Sequence, residues 1–166
     1  MDNFVDLEHL KIPARSEDVS TLDGILNAFY DVISGPAGQP RDWERDRTLY
    51  APGALFVPTG VKQESGPYAM VLDLKQYIQR SEPLLASGFF ECEIHRVTRR
   101  YGKVTHVFST YEARSTPDGP IIARGINSIE LVYAGNRWWI VASLWDRERE
   151  GNPIPAEFLP EQNSGS

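Results

Sequence analysis

The chain has 166 residues, of which 41% are apolar and 24% charged, and its formal net charge is −6. This suits one core-forming domain, and the scattered basic residues form no positive stripe of the kind a nucleic-acid binder needs. A single cysteine, Cys92, excludes an intrachain disulfide and fits a reducing, cytoplasmic compartment, and no apolar run reaches membrane length.

Residues 1–18 read as an arm, too polar for a signal peptide. In it Phe4, Val5, Leu7, Leu10 and Ile12 are available to pack on the body. Ser20 and Asp23 form a capping-box pattern, and Leu22, Ile25, Leu26, Phe29 and Ile33 follow at helical spacing, with Tyr30 beside the stripe. Gly35 and Pro36 end that helix. Asp42 caps a short helix, WERDRTLY. The segment ALFV, 54–57, reads as a strand. The turn-rich run 58–72 that follows reads as a lid or rim. Asp73 and Gln76 form a second capping box for a helix from Leu74, which Pro83 kinks or restarts.

After Gly88 the pattern changes to strands. Four long segments are joined by short turns at Tyr101–Gly102, Thr116–Gly119 and Ala134–Asn136. Short turns between long strands mean antiparallel hairpins. The expected architecture is α+β, with helices packed on a curved antiparallel sheet over residues 19–150. Residues 151–166 form an extension whose tail, EQNSGS, reads as disordered.

This order of elements, with the motifs YAPGALFV and GNRWWIV, resembles the nuclear-transport-factor-2-like (NTF2-like) group, which includes SnoaL-like cyclases, ketosteroid isomerase and scytalone dehydratase. The resemblance spans residues 20–147. It implies a cone-shaped fold, a pocket between sheet and helices, and frequent dimers. Fold alone assigns no reaction. In the steroid isomerases the general base is an Asp at the end of the first strand. The matching positions here are Val57 and Pro58, neither of which takes a proton. A Tyr on the first helix donates to the oxyanion in those enzymes, and Tyr30 lies near that position.

The turns suggest a register in which Val97 opposes His106, and Arg124 opposes Asp146. One face then carries Tyr111, Arg124, Ile126, Glu130, Trp138, Ile140 and Asp146, and it is the face expected to pack on the first helix. Buried charges need partners, so Arg124 and Asp146 are expected to pair. If the protein is an enzyme, Asp146 is the candidate base, with Tyr30 or Tyr111 donating to an oxyanion. Arg124, Glu130 and Trp138 are candidate ligand contacts. The opposite face carries Glu91, Glu93, His95, Asn127, Leu131, Trp139 and Trp145. Its mixture of large aromatics and charge suits a dimer interface built on Leu131, Trp139 and Trp145. The alternative cover for Trp145 is the extension, through Ile154 and Phe158. His95, Glu93 and His106 lack metal-site spacing, and no metal or cofactor is expected. Gly125 marks strand curvature, a bulge or a ligand's approach.

Two functions stand on these residues. One is a pocket for a small hydrophobic or cyclic molecule, with cofactor-free isomerisation, dehydration or cyclisation as its natural chemistry. The other is a homodimeric scaffold with a filled pocket. Neither needs nucleic acid or a membrane.

Overall fold

The computed structural model describes residues 4–161. Apart from Glu161, the tail expected to be disordered lies outside the described residues. Four helices and six strands follow in order: α1 (Ser16–Val19), α2 (Leu22–Asp31), α3 (Trp43–Arg47), β1 (Tyr50–Lys62), β2 (Gly66–Ala69), α4 (Leu74–Leu85), β3 (Phe90–Tyr101), β4 (Val104–Arg114), β5 (Ile121–Ala134) and β6 (Arg137–Arg147). A 3₁₀ turn, Ala156–Phe158, closes the described chain. The fold is α+β, with the helices at the N-terminal end and a six-stranded sheet of order β2-β1-β6-β5-β4-β3.

The helix signals act locally, so most sit where the sequence places them. Asp42 accepts from the Arg45 amide at 3.0 Å. The Asp73–Gln76 capping box closes both ways, at 2.8 and 3.0 Å. The α2 cap is one residue later than expected: Thr21, not Ser20, accepts from the Gly24 amide. Ser20 turns back to the α1 carbonyl of Ser16. Pro83 does not restart α4, which runs two residues past it.

Residues 58–72 are not an irregular loop. Most of them extend β1 to 13 residues and return as β2, with Thr59 opposite Ala69 and Lys62 opposite Gly66. The β3–β6 meander is antiparallel as read. β1 joins its edge parallel to β6, with Phe56 beside Ser143 and Val57 beside Leu144. The intervening chain supplies the crossover that a parallel pair requires.

The two faces of the sheet differ from the expected sets because alternation is interrupted. Glu93 opposes Tyr111 and His95 opposes Thr110, so Ile94 is an extra residue in β3. Glu130 opposes Ala142 and Leu131 opposes Ile140, so Val141 is extra in β6. β4 and β5 also pair with the other parity: Val107 meets Ile129, Ser109 meets Asn127, and Tyr111 meets Gly125. Each one-residue change moves every later side chain to the other face. The helix-facing side therefore carries Glu91, Glu93, Val107, Ser109, Tyr111, Asn127, Ile129, Leu131, Trp138, Ile140, Ser143 and Trp145. Ile25, Leu26 and Phe29 of α2 pack there with Val107, Ile129, Leu131, Trp138 and Ile140.

The adjacent tryptophans serve two cores. Trp138 joins the main one, edge-on to Tyr133 at 5.3 Å. Trp139 points outward but is fully buried, covered by Leu7, Leu10 and Ile12 of the arm. The Arg137 guanidinium stacks on its ring at 3.6 Å, and Trp139 Nε1 donates to the Ala134 carbonyl. Leu131 is buried in the main core, and Trp145 packs edge-on to Tyr77 at 6.1 Å. The expected dimer interface of Leu131, Trp139 and Trp145 is thus covered by its own chain. The C-terminal segment lies elsewhere on the outer face, where Phe158 packs on Phe108 and its carbonyl accepts from Thr110.

Candidate functional site

Three local features bring α2 against the start of β3. Gly35 and Phe89 exchange backbone hydrogen bonds at 2.7 and 3.0 Å. Ser34 Oγ accepts from the Glu91 amide and donates to the Tyr30 carbonyl. Arg41 donates to the carbonyls of Ile33, Gly35 and Leu85, holding the α2 exit to the end of α4. Arg45 of α3 then grips Asp18 through two contacts of 2.8 Å and also binds Asp31. The result is an open cleft of about 740 Å³ between α1, α2 and β3, with Tyr30, Ser34, Glu91 and Glu93 among its lining residues. That volume is within the range of small-molecule sites.

The cleft leads to a polar cluster on the helix-facing side of the sheet. Tyr30 Oη lies 2.6 Å from Ser109 Oγ. Asn127 Nδ2 donates to Tyr30 Oη at 3.1 Å and to Glu91 Oε1 at 3.3 Å. Ser109 also bonds Glu93, which Arg96 holds at 2.7 Å. Glu91 is partly exposed as a residue, but its carboxyl end is enclosed by protein. Burial pushes its pKa up to about 7, against the opposing pull of Asn127 and Arg147. A carboxyl of that kind exchanges its proton near neutral pH. Burial pushes the Tyr30, Tyr77 and Tyr111 phenols up, with the Glu91 charge adding to each.

The expected site residues divide across the sheet. Tyr30, Tyr111 and Trp138 lie on the helix-facing side. Asp146 does not: it faces outward, and Arg149 donates to it at 2.5 Å. That pairing holds the Asp146 carboxyl below its usual range. Arg124 is also on the outer face and pairs with Glu112 at 2.6 Å, not with Asp146. Glu130 is exposed and bonded to His106. The changed parity of β5 accounts for Arg124 and Glu130, and the extra residue Val141 in β6 accounts for Asp146. Gly125 admits neither ligand nor bulge. A Cβ there would stand 2.5 Å from Tyr111 Oη and 2.5 Å from the Asp146 carbonyl oxygen, so the glycine makes room for Tyr111.

The residues that sequence reasoning missed are Glu91, Ser109 and Asn127. Their signal is a polar residue on each of three adjacent strands, legible only once the strand parity is known. Asp46 was missed too. It is fully buried on α3, Tyr50 Oη donates to it at 3.2 Å, and its Oδ2 has no protein partner.

No family model matches the sequence, and no curated protein matches it. Solved structures do. A protein of unknown function with a cystatin-like fold from Nostoc punctiforme superposes with a TM-score of 0.59 at 9% identity, over 76% of this chain and 88% of that one. A candidate dehydratase of the NTF2-like family from Streptomyces avermitilis gives 0.54 at 14% identity, over 80% and 96%. An NTF2-like protein of unknown function from Silicibacter pomeroyi gives 0.51 at 12%, over 76% and 92%. Likeness at such identity speaks to the fold alone, and the fold of this chain is the α+β cone of the NTF2-like proteins.

Proposed function

We propose that the chain binds a small, partly apolar molecule in the cleft between α2 and β3 and moves a proton on it without a bound cofactor. Glu91 is the group that exchanges the proton, Tyr30 meets the polar end of the molecule, and Asn127 behind them holds both in place. The observation that carries this reading is the enclosed Glu91 carboxyl, with a pKa of about 7, at the wall of a cleft of ligand size. Isomerisation, dehydration and cyclisation all need such a group. The resemblance to a candidate dehydratase agrees with the reading.

The test is a thermal-shift screen of small cyclic ketones, enols and alcohols. Hits are then followed by deuterium exchange from solvent into the bound molecule. Glu91→Gln is expected to slow exchange by about 10²-fold or more, with affinity changed only a few-fold. Exchange that proceeds equally in Glu91→Gln removes Glu91 from the chemistry.

A second reading has its own support. Register places Leu55 beside Ala142 and Val57 beside Leu144 on the outer face. Leu55 is 45% exposed and Leu144 38%. This apolar patch suits a homodimer or a scaffold contact.

A further inference from the structure

The hydrogen bonds around Tyr30 have a direction that follows from counting protons. Arg96 Nε donates to Glu93 Oε1 at 2.9 Å, and its Nη2 lies 2.7 Å from the same oxygen. An Arg-paired carboxylate only accepts, so Ser109 donates its single proton to Glu93 Oε2. Ser109 Oγ has no second proton to give, and the 2.6 Å contact with Tyr30 is therefore donated by the Tyr30 hydroxyl. Asn127 donates to Tyr30 from the other side. The Tyr30 proton is thus committed to Ser109, and its oxygen keeps one lone pair beyond the one that Asn127 occupies. Tyr30 is placed to accept a proton, in contrast to the oxyanion donor that its position on the helix suggests.

From this the geometry points to a proton relay, Tyr30–Ser109–Glu93, that takes a proton from a molecule bound in the cleft and delivers it to the Glu93 carboxylate. The relay rests on the reading of the cleft as a proton-transfer site, and it adds the route by which a proton leaves. A C–H or O–H bond of the bound molecule breaks, and its electron pair stays on that molecule. The proton bonds to Tyr30 Oη, the Tyr30 proton passes to Ser109 Oγ, and the Ser109 proton passes to Glu93 Oε2. Tyr30 and Ser109 end neutral, as they began, and Glu93 ends as a carboxylic acid. The Glu93 side chain is 20% exposed and can release the proton to water. Concerted transfer also avoids a tyrosinate, which burial and the nearby Glu91 both disfavour. Ser109, fully buried, is a positioning residue: it conveys the proton and touches no ligand.

The experiment uses the full chain without ligand, with ¹³C at tyrosine Cζ and glutamate Cδ, titrated by NMR. In the wild type, the Tyr30 Cζ signal is expected to move in the same step as Glu93 Cδ. In Ser109→Ala the Glu93 step stays and the Tyr30 response to it shrinks to the part that the Glu93 charge exerts through space. The separate response of Tyr30 to Glu91, which acts through space and through Asn127, persists and shows that the fold is intact. Ser109→Thr, which keeps the hydroxyl, brings the lost response back. A Tyr30 signal that ignores Glu93 in the wild type, or follows it equally in Ser109→Ala, overturns the relay. No ligand enters this measurement, so its failure is distinct from a failure of the binding reading, which Glu91→Gln decides.

Discussion

Asp46 shows what a single buried carboxyl does to a fold of this size. It is fully buried, has one hydrogen bond, and burial pushes its pKa up to about 7. The unfolded value is near 3.9, so the folded chain holds the extra proton between about pH 4 and pH 7. Stability is full below that window, falls as pH rises through it, and stays low above it. Asp46→Asn keeps the shape and the acceptor for Tyr50 but cannot ionise. The variant is expected to match the wild type near pH 4 and to exceed it above pH 7 by on the order of 2–4 kcal/mol. Denaturant melts across that range check this, and parallel curves would show that Asp46 ionises freely. Glu91, raised for the same reason, adds a slope of the same sign. Asp18, held low first by its hydrogen bonds from Arg45, acts oppositely. Its contribution is present above its unfolded pKa and is lost as pH falls through the lower folded one.

At the level of elements, the strands are set by where they depart from alternation. The extra residues Ile94 and Val141 rotate Glu91, Glu93, Ser143 and Trp145 toward the helices. The close approach at Gly125 lets the Tyr111 ring cross β5. Gly125→Ala places a methyl against both Tyr111 Oη and a backbone oxygen, and overpacking of this kind costs about 1–3 kcal/mol. In a Tyr111→Phe background the loss is expected to be smaller, since one of the two clashing oxygens is gone. Thermal melts of the four proteins of that cycle give the coupling. An equal loss in both backgrounds would assign the cost to the Asp146 carbonyl and the ring carbon Cζ, 2.8 Å from the added methyl, which phenylalanine keeps. The α4 capping box and the α3 cap were legible from the sequence because each depends on residues three apart along one chain. The register at Ile94 was not, because a bulge is stabilised by what lies on the neighbouring strand.

Across the whole molecule, both terminal segments lie on the outer face of the sheet. The arm seals Trp139 with Leu7, Leu10 and Ile12, and the C-terminal segment sets Phe158 on Phe108. Between them the Leu55–Leu144 patch stays open. A homodimer formed through the sheet would use that patch and not the tryptophans. Light scattering is then expected to give twice the chain mass for the wild type and the single mass for Leu144→Asp, with Tm little changed because Leu144 is already exposed. A wild type of single mass sets the scaffold reading aside.

The order of α2, α3, β1, α4 and β3–β6, most helix caps, three of the strand-joining turns and the α+β class were determined by the chain alone, without α1 or β2, for they rest on local rules: helical spacing, strand alternation, and turn residues that few conformations accept. The tertiary structure decided which face of each strand looks inward. Side-chain period in a strand is two, so one bulge or one changed pairing reverses a face without altering the local pattern. That reversal took Asp146, Arg124 and Glu130 to the outside. It gathered Glu91, Ser109 and Asn127, from three strands, around Tyr30. Trp139 kept its expected face, but the arm covers it, a contact between residues more than a hundred positions apart that no local pattern encodes.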